Sequence, residues 1–473
     1  MKLINPDNPV TSAWLAEQGY RLDPHPYLSG AFEARKLLER LPIRKDPLHS
    51  LTSGYNGGIF NGPKFRRVYL DDPEQSVAFL GSTDMMEADF SWLPRLARTV
   101  ADGLPFLEVR EGMTLVSCSG TVGRMAYARP DMTGFWSSQH VMKIVPDKER
   151  VEPGYLYAFL ASRYGNSLIT GSAYGAIVQH IEPHHIADIG VPRFDHALEE
   201  QIHDLIQEAA QLRASYQVGV VDATADLFTS AGLPELVDFQ WHKRPRDLGF
   251  SVSGLNATSL RALNFSPRAR EILDKLRSVP HRTLGEVCEG GTLSRGNRFT
   301  RVDSDPEHGV QLIGQRQGFW LRPQGRWVTL PGRGATALME SDETILVASR
   351  GTLGENEVYC RPILVTGKSL RYAYSEDFLQ VVPGCSEMTG AYLFALFRSE
   401  AGFRLFRSMS TGGKQQDIHA DLRKDLPVPL CTPADRARIA EKVRQAYRER
   451  DLADDKEDEA LRLLDEAVRE AAR

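Results

Sequence analysis

The chain is poor in cysteine. Its five thiols, at positions 118, 288, 360, 385 and 431 of 473 residues, form no Cys-x-x-Cys pair. That scatter indicates neither a disulfide framework nor a zinc site of ordinary spacing. No apolar run approaches the roughly 18 residues of a membrane-spanning helix. The opening residues, MKLINPDNPV, hold no apolar signal core, so a cytoplasmic protein without a membrane anchor is expected. An excess of positive charge is also missing, since 57 Lys+Arg stand against 62 Asp+Glu for a net charge of −5. Taken alone, that balance speaks against a nucleic-acid binder. Catalytic signatures are lacking as well. There is no Gly-rich cofactor loop, no Asn/Asp-Pro-Pro-Tyr/Phe and no His-Glu-x-x-His. Residues 366–369 (TGKS) imitate the end of a phosphate-binding loop, but Pro362 occupies the place of its first glycine. His180, His184 and His185 invite a metal reading, yet Pro183 interrupts them and the spacing fits no usual ligand set.

What is present is a repeat. Residues 114–127 read TLVSCSGTVGRMAY and residues 345–359 read ILVASRGTLGENEVY. Superposed, they pair Leu115-Val116 with Leu346-Val347, Gly120-Thr121 with Gly351-Thr352, and Gly123 with Gly354. The apolar run predicts a short buried strand, and the two glycines a tight turn with close backbone approach. One such turn is weak evidence of anything. Two with the same flanks mean that one module occurs twice, and a repeat governs the reading of everything around it. With 42% hydrophobic and 25% charged residues, this length predicts about two to four globular domains.

The flanks repeat in order. Residues 21–41 and 261–276 each hold a Pro-containing turn and a short amphipathic helix. Gly-rich loops follow at 54–62 and 289–299, then strand-like runs at 76–81 and 310–315. After the motif come strands at 139–146 and 378–383, and one helix each at 154–165 and 390–402. A second loop, 171–185 or 409–421, and a Pro-flanked apolar strand, 189–194 or 426–430, close each copy. Each copy then leads into a long helix. Asp195 is a suitable N-cap, and Leu198, Ile202, Leu205, Ala209, Leu212, Tyr216, Val220, Ala223 and Leu227 recur four and three apart, as in a coiled-coil seam. Gly232 and Pro234 end it. At 1.5 Å per residue such a helix runs roughly 50 Å. The second begins at Thr432-Pro433. Its stripe of Ile439, Val443 and Ala446 resumes at Leu461, Leu464, Val468 and Ala471. Between them DDKEDE (454–459) breaks the stripe, as either a solvated or a partner-facing stretch. Two helices with one apolar stripe each satisfy one another best by packing antiparallel. Charge follows the same division. Residues 259–430 carry about 23 Lys+Arg against 19 Asp+Glu, and residues 196–258 about 4 against 9, so basic faces on an acidic frame are compatible with the net charge.

This order, from about residue 15 to 470, resembles the specificity subunit of type I restriction-modification systems. The residues that carry the resemblance are 115–123 and 346–354, the helix-loop-strand runs after them, the closing Pro-flanked strands and the paired helices. It implies an α+β fold: two similar α/β target-recognition domains joined by two long antiparallel helices that form a coiled-coil spacer. The segments would be 1–195, 196–232 (first helix), 233–430 (linker and second domain) and 431–473 (second helix). It further implies a non-catalytic DNA-binding protein that reads a split, asymmetric site in double-stranded DNA. No cofactor of its own is implied. S-adenosylmethionine would sit on partner methyltransferase subunits, expected as two, with a restriction/translocase subunit as a further partner in phage defence.

Base reading calls for Arg or Lys on guanine and Asn or Gln on adenine, and phosphate contacts for Lys, Arg, Ser and Thr, all on loops held by a rigid core. In the first copy the candidates are Tyr55, Asn56, Arg66, Arg67, Ser119, Thr121, Arg124, Tyr174, Gln179 and His180. In the second they are Ser294, Arg295, Asn297, Arg298, Gln315, Arg316, Gln317, Arg350, Thr352, Lys368, Lys414, Gln415 and Gln416, with the Gln-Arg-Gln and Lys-Gln-Gln runs foremost. Any one of these is as readily an ordinary solvated loop residue; as a set they stand out. Two alternatives stay open. One is a DNA-reading module of another phage-defence complex. The other is a cryptic enzyme such as a nuclease, whose few and widely spaced carboxylates no linear motif would reveal.

Overall fold

The repeated motif is the inner strand of a four-stranded sheet in both copies. The computed structural model describes residues 10–17, 20, 27, 30–175, 178–253, 258–296, 298–329 and 339–473. In the first copy the strands are β1 (Lys45–Pro47), β2 (Ile59–Phe60), β3 (Ser76–Leu80), β4 (Arg95–Ala97), β5 (Thr114–Ser117), β6 (Met125–Tyr127), β7 (Trp136–Ser137), β8 (Val141–Ile144) and β9 (Gly190–Pro192). Strand β5 (TLVS) is buried along its whole length because β8 and β6 pair with it on both sides, in the order β2-β8-β5-β6. A second small sheet, β4-β3-β7, combines an antiparallel pair with a parallel one. The closing Pro-flanked strand β9 pairs antiparallel with β1.

The second copy has strands β10 (His281–Thr283), β11 (Thr292–Arg295), β12 (Val302–Asp303), β13 (Val310–Ile313), β14 (Arg326–Thr329), β15 (Thr344–Ala348), β16 (Pro362–Val365), β17 (Ala373–Tyr374), β18 (Phe378–Val382), β19 (Ser410–Gly412), β20 (Gln416–Ile418) and β21 (Pro427–Pro429). Their pairing repeats the first topology. The main sheet runs β11-β18-β15-β16, the small one β12-β14-β13-β17 with β13 parallel to β17, and β21 closes onto β10. Part of the segment read as the Gly-rich loop 289–299 is therefore an edge strand. Its alternating Thr-Leu-Ser-Arg finds hydrogen-bond partners on β18, which no local signal reveals.

The helices follow the same duplication: α1 (Ala31–Arg40), α2 (Pro153–Ala161), α3 (Arg163–Gly171) and the long α4 (His196–Ser230), then α5 (Pro267–Arg277), α6 (Gly390–Phe397), α7 (Glu400–Ser408) and the long α8 (Pro433–Ala471). The single helix expected after each motif is in fact two. Ser162 and Ser399 hold extended backbone; the Ser162 hydroxyl accepts the Tyr164 and Gly165 amides and the Ser399 hydroxyl the Gly402 amide, so each caps a new helix. At that corner Gly165 lies so close to α2 that a Cβ would fall 2.3 Å from the Phe159 carbonyl, and Gly402 repeats this at 2.5 Å from that of Leu396. Helices α2 and α6 are apolar all round and buried all round. Each sends a tyrosine hydroxyl to the closing strand, Tyr155 to the Pro192 carbonyl and Tyr392 to that of Pro429.

The chain forms two compact units. The first holds residues 1–87, 93–214 and 452–473, the second residues 88–92 and 215–451. Each contains one head with half of α4 and half of α8. In the first unit Ile202, Ile206 and Ala210 of α4 pack in one cluster with Ala460, Leu464 and Val468 of α8. Here DDKEDE is neither solvated nor partner-facing in its key members. Asp454 and Glu457 are buried and accept Arg213 Nη2 at 2.8 and 2.5 Å, while Tyr157 of α2 donates to Glu457 at 2.6 Å. Helix α8 runs unbroken for 39 residues through this stretch. In the second unit Tyr216, Val220, Ala223 and Leu227 meet Ile439, Val443 and Ala446. Asp226 pairs with Arg438 and Lys442, both at 2.8 Å. In both units the numbers rise along one helix as they fall along the other, so the two helices are antiparallel, with Asp195 and Thr432 capping them as expected.

Candidate nucleic-acid interface

In the first head the turn after β5 is tied down from within and from beside. The Ser117 hydroxyl donates to the Thr121 carbonyl and accepts the Arg124 amide, and Asn166 of α3 donates to the Gly123 carbonyl at 2.8 Å. Gly120 and Gly123 take φ of 78° and 88°, where glycine is favoured. The closing loop docks beside this turn through backbone bonds, Gly120 N to Gln179 O and Ile181 N to Cys118 O, each 3.0 Å. Ser119, Thr121, Gln179, His180 and Tyr174 are thereby gathered, the last two bridged to each other. Arg67 joins them through residues that sequence reading passed over. Its Nη2 donates to Gln139 Oε1 at 2.8 Å, and Gln139 bonds His140 at 3.1 Å. Burial, then the nearby Arg67 and His180, hold His140 below the usual imidazole range. The Cys118 thiol beneath is pushed up to about 11 by burial and stays protonated. Gln139 and His140 abut strand β8, and that adjacency was the available signal.

Other first-head candidates lie apart. Tyr55 and Asn56 precede β2, where Tyr55 stacks on Phe106 with ring centroids 4.4 Å apart and Asn56 is left-handed. Arg66 is exposed, and Arg124 is half-buried in the return of the turn. Among the described residues, no group of three His, Cys, Asp or Glu side chains is placed to hold a metal ion, and no helix is long and apolar enough to cross a membrane.

The second head seats its closing element on the same turn with different side chains, but the expected tight turn is not repeated: Gly351 and Gly354 lie outside the left-handed region, and the return strand β16 begins only at Pro362. Gln416 N donates to Gly351 O at 2.8 Å, so the β19–β20 hairpin takes the place of the first head's closing loop. Arg407 of α7 donates to the carbonyls of Leu353 and Gly354, as Asn166 does to Gly123. Gln315 clasps the backbone of Arg350, Nε2 to its carbonyl at 2.9 Å and Oε1 from its amide at 3.2 Å. Arg350 pairs with Asp377 at 3.5 Å, and Arg295 with Asp417 at 3.0 Å. Thus Arg295, Gln315, Arg350, Thr352 and the hairpin with Lys414, Gln415 and Gln416 come together. Gln416 is buried and its amide is turned onto the Gly413 carbonyl, while Lys414 and Gln415 at the tip are exposed. Arg316 and Gln317 sit on the helical turn Gln315–Gly318 beside them. Ser294 is exposed on edge strand β11 and Arg298 is exposed beyond it. Lys368 does not join this set. Its amide and its Nζ bond Asp451 of α8 at 2.9 and 2.8 Å. Asn297 lies outside the described residues.

No family model and no curated protein matches the chain. Among solved structures it is similar to the type I restriction-modification system S subunit from M. genitalium, at 11% identity over 91% of this chain and 96% of that one, with a TM-score of 0.35. It is also similar to a chain from a structure of type I R-M system complex assembly and conformational transition, at 14% identity over 91% and 98%, TM-score 0.27. The HsdS subunit from Thermoanaerobacter tengcongensis matches at 14% identity over 92% and 97%, TM-score 0.27. All three scores lie below 0.5.

Proposed function

We propose that this chain is the DNA-specificity subunit of a type I restriction-modification or closely related methylation system. Each head reads one half of a bipartite, asymmetric site, and the antiparallel helices set the distance between the halves. One observation carries the reading: the same head, with the same strand order, is built twice in one chain, and each is followed by one of two paired long helices. A duplicated reader with differing side chains at equivalent turns suits a split site with unlike halves. Gly120 and Gly351 mark corresponding positions, yet Gln139, His140 and His180 surround one and Arg295, Arg350 and Lys414 the other.

The roles follow from chemistry. Exposed Arg66, Arg298 and Lys414 are placed for phosphates, which position the protein without reading sequence. Base edges fall to the turns and closing loops. Gln315 and Gln416 are positioning residues, because their amides already serve the protein. Once one head is bound, the second association is intramolecular, so modest half-site affinities multiply. Methyl transfer belongs to partner methyltransferase subunits carrying S-adenosylmethionine, with a restriction subunit as a further member. Genome-wide methylation mapping tests this. Deleting the gene should abolish one bipartite methylated motif, and exchanging residues 20–195 for those of a relative should change one half of it only. A methylome unaffected by deletion overturns the reading.

A further inference from the structure

We propose that the second head reads guanine, through two arginines held in place by carboxylates. The inference rests on the DNA-specificity reading and names the base class for one half-site. The end of β11, the end of β15 and the start of β18 meet at one edge of the main sheet, since Arg295 is paired with Leu379 and Ala348 with Phe378. Arg295 closes β11, Arg350 follows β15 by two residues, and Asp377 immediately precedes β18. The β19–β20 hairpin brings Asp417 to the same edge.

Both arginines are ion-paired and part-exposed. Arg295 and Asp417 are 30% and 33% exposed with Nη1 and Oδ2 3.0 Å apart; Arg350 and Asp377 are 26% and 34% exposed with Nε and Oδ1 3.5 Å apart. Gln315 fixes the Arg350 backbone from both sides. The carboxylate lies nearest Arg350 at Nε, and the Nη1/Nη2 fork has no partner among the described residues; Arg295 meets Asp417 through Nη1, a buried atom that makes no hydrogen bond, which leaves Nε and Nη2 as its donor pair. Two parallel donors match guanine O6 and N7, and a carboxylate ion-paired beside them restricts the rotamer freedom such a contact would otherwise cost. Among the described residues, the corresponding edge of the first head shows no such arginine–carboxylate pair. Arg67 there is held by neutral Gln139, and its cluster is built of amide and imidazole groups.

Chromosomal Arg350→Lys and Arg295→Lys keep the charge and lose the fork. With methylation mapping as the readout, each should relax one guanine position in the half-site assigned to the second head, with methylation of sites carrying another base there rising about tenfold. Asp377→Asn and Asp417→Asn should relax the same positions to a smaller extent, and Arg67→Lys should leave them unchanged. An intact, unrelaxed motif with both arginine variants overturns the inference while the specificity reading stands. A second-head half-site without guanine does the same. Loss of no motif on deletion of the chain overturns both.

Discussion

Lys143 sits at the middle of β8 with no exposed surface, its ammonium turned onto the Ser137 hydroxyl and 5.4 Å from the Phe60 ring centroid. Burial pushes its pKa down to about 7. Its ordinary value is near 10.4, so between about pH 7 and pH 10 the unfolded chain holds a proton that the folded chain does not. Stability therefore rises with pH across that window, and below it the lysine is a full liability. Lys143→Met should stabilise the protein by a few kcal/mol at pH 6, on the order implied by the shift, with the gain shrinking towards pH 10. Denaturant melts at both pH values check this; an equal effect at each would contradict it. The register equivalent in the second head is Gln380, which bonds Glu340 at 2.7 Å. In sequence the lysine stands within an apolar run, and only packing shows that both faces of that strand are covered.

At the scale of the element, the helix pair buries one charged cluster between its helices. Burying Arg213 with Asp454 and Glu457 costs desolvation that their mutual attraction offsets only while all three are present. Arg213→Ala leaves two carboxylates buried without their cation and should cost about 3–5 kcal/mol, measured by urea unfolding. Replacing all three by apolar residues of similar volume should recover most of it, and a triple variant as unstable as the single one would refute the explanation. The helices themselves were plain in the periodicity, and so were their caps at Asp195 and Thr432. The charged stretch 454–459 interrupts the stripe in sequence because apolar spacing counts a buried acid as a gap. Ala453, Asp454, Glu457 and Ala460 continue the stripe at the right intervals, but the cation that completes it comes from Arg213, more than two hundred residues away.

For the whole molecule, the proposed reading makes the paired helices a ruler. Matched insertions of seven residues at 214/215 and 451/452 would lengthen the pair by about 10 Å. The preferred spacing between half-sites should grow by up to about three base pairs, given a rise near 3.4 Å per pair. Methylation mapping reads this directly, and an unchanged spacing would count against the helices as the spacer.

From residues alone came whatever depends on neighbours along the chain: the doubled module, its element order, the caps, the long helices and the turns that hold the candidate residues. What depended on tertiary structure was the use of each polar side chain. Gln315 and Gln416 look like free readers in sequence but bond the protein's own backbone, and Lys368 is committed to Asp451. Gln139 and His140 look like strand flanks but complete a cluster with Arg67 and His180. A polar group's partners are chosen by proximity in space, and proximity in space is settled only when distant strands and loops have packed.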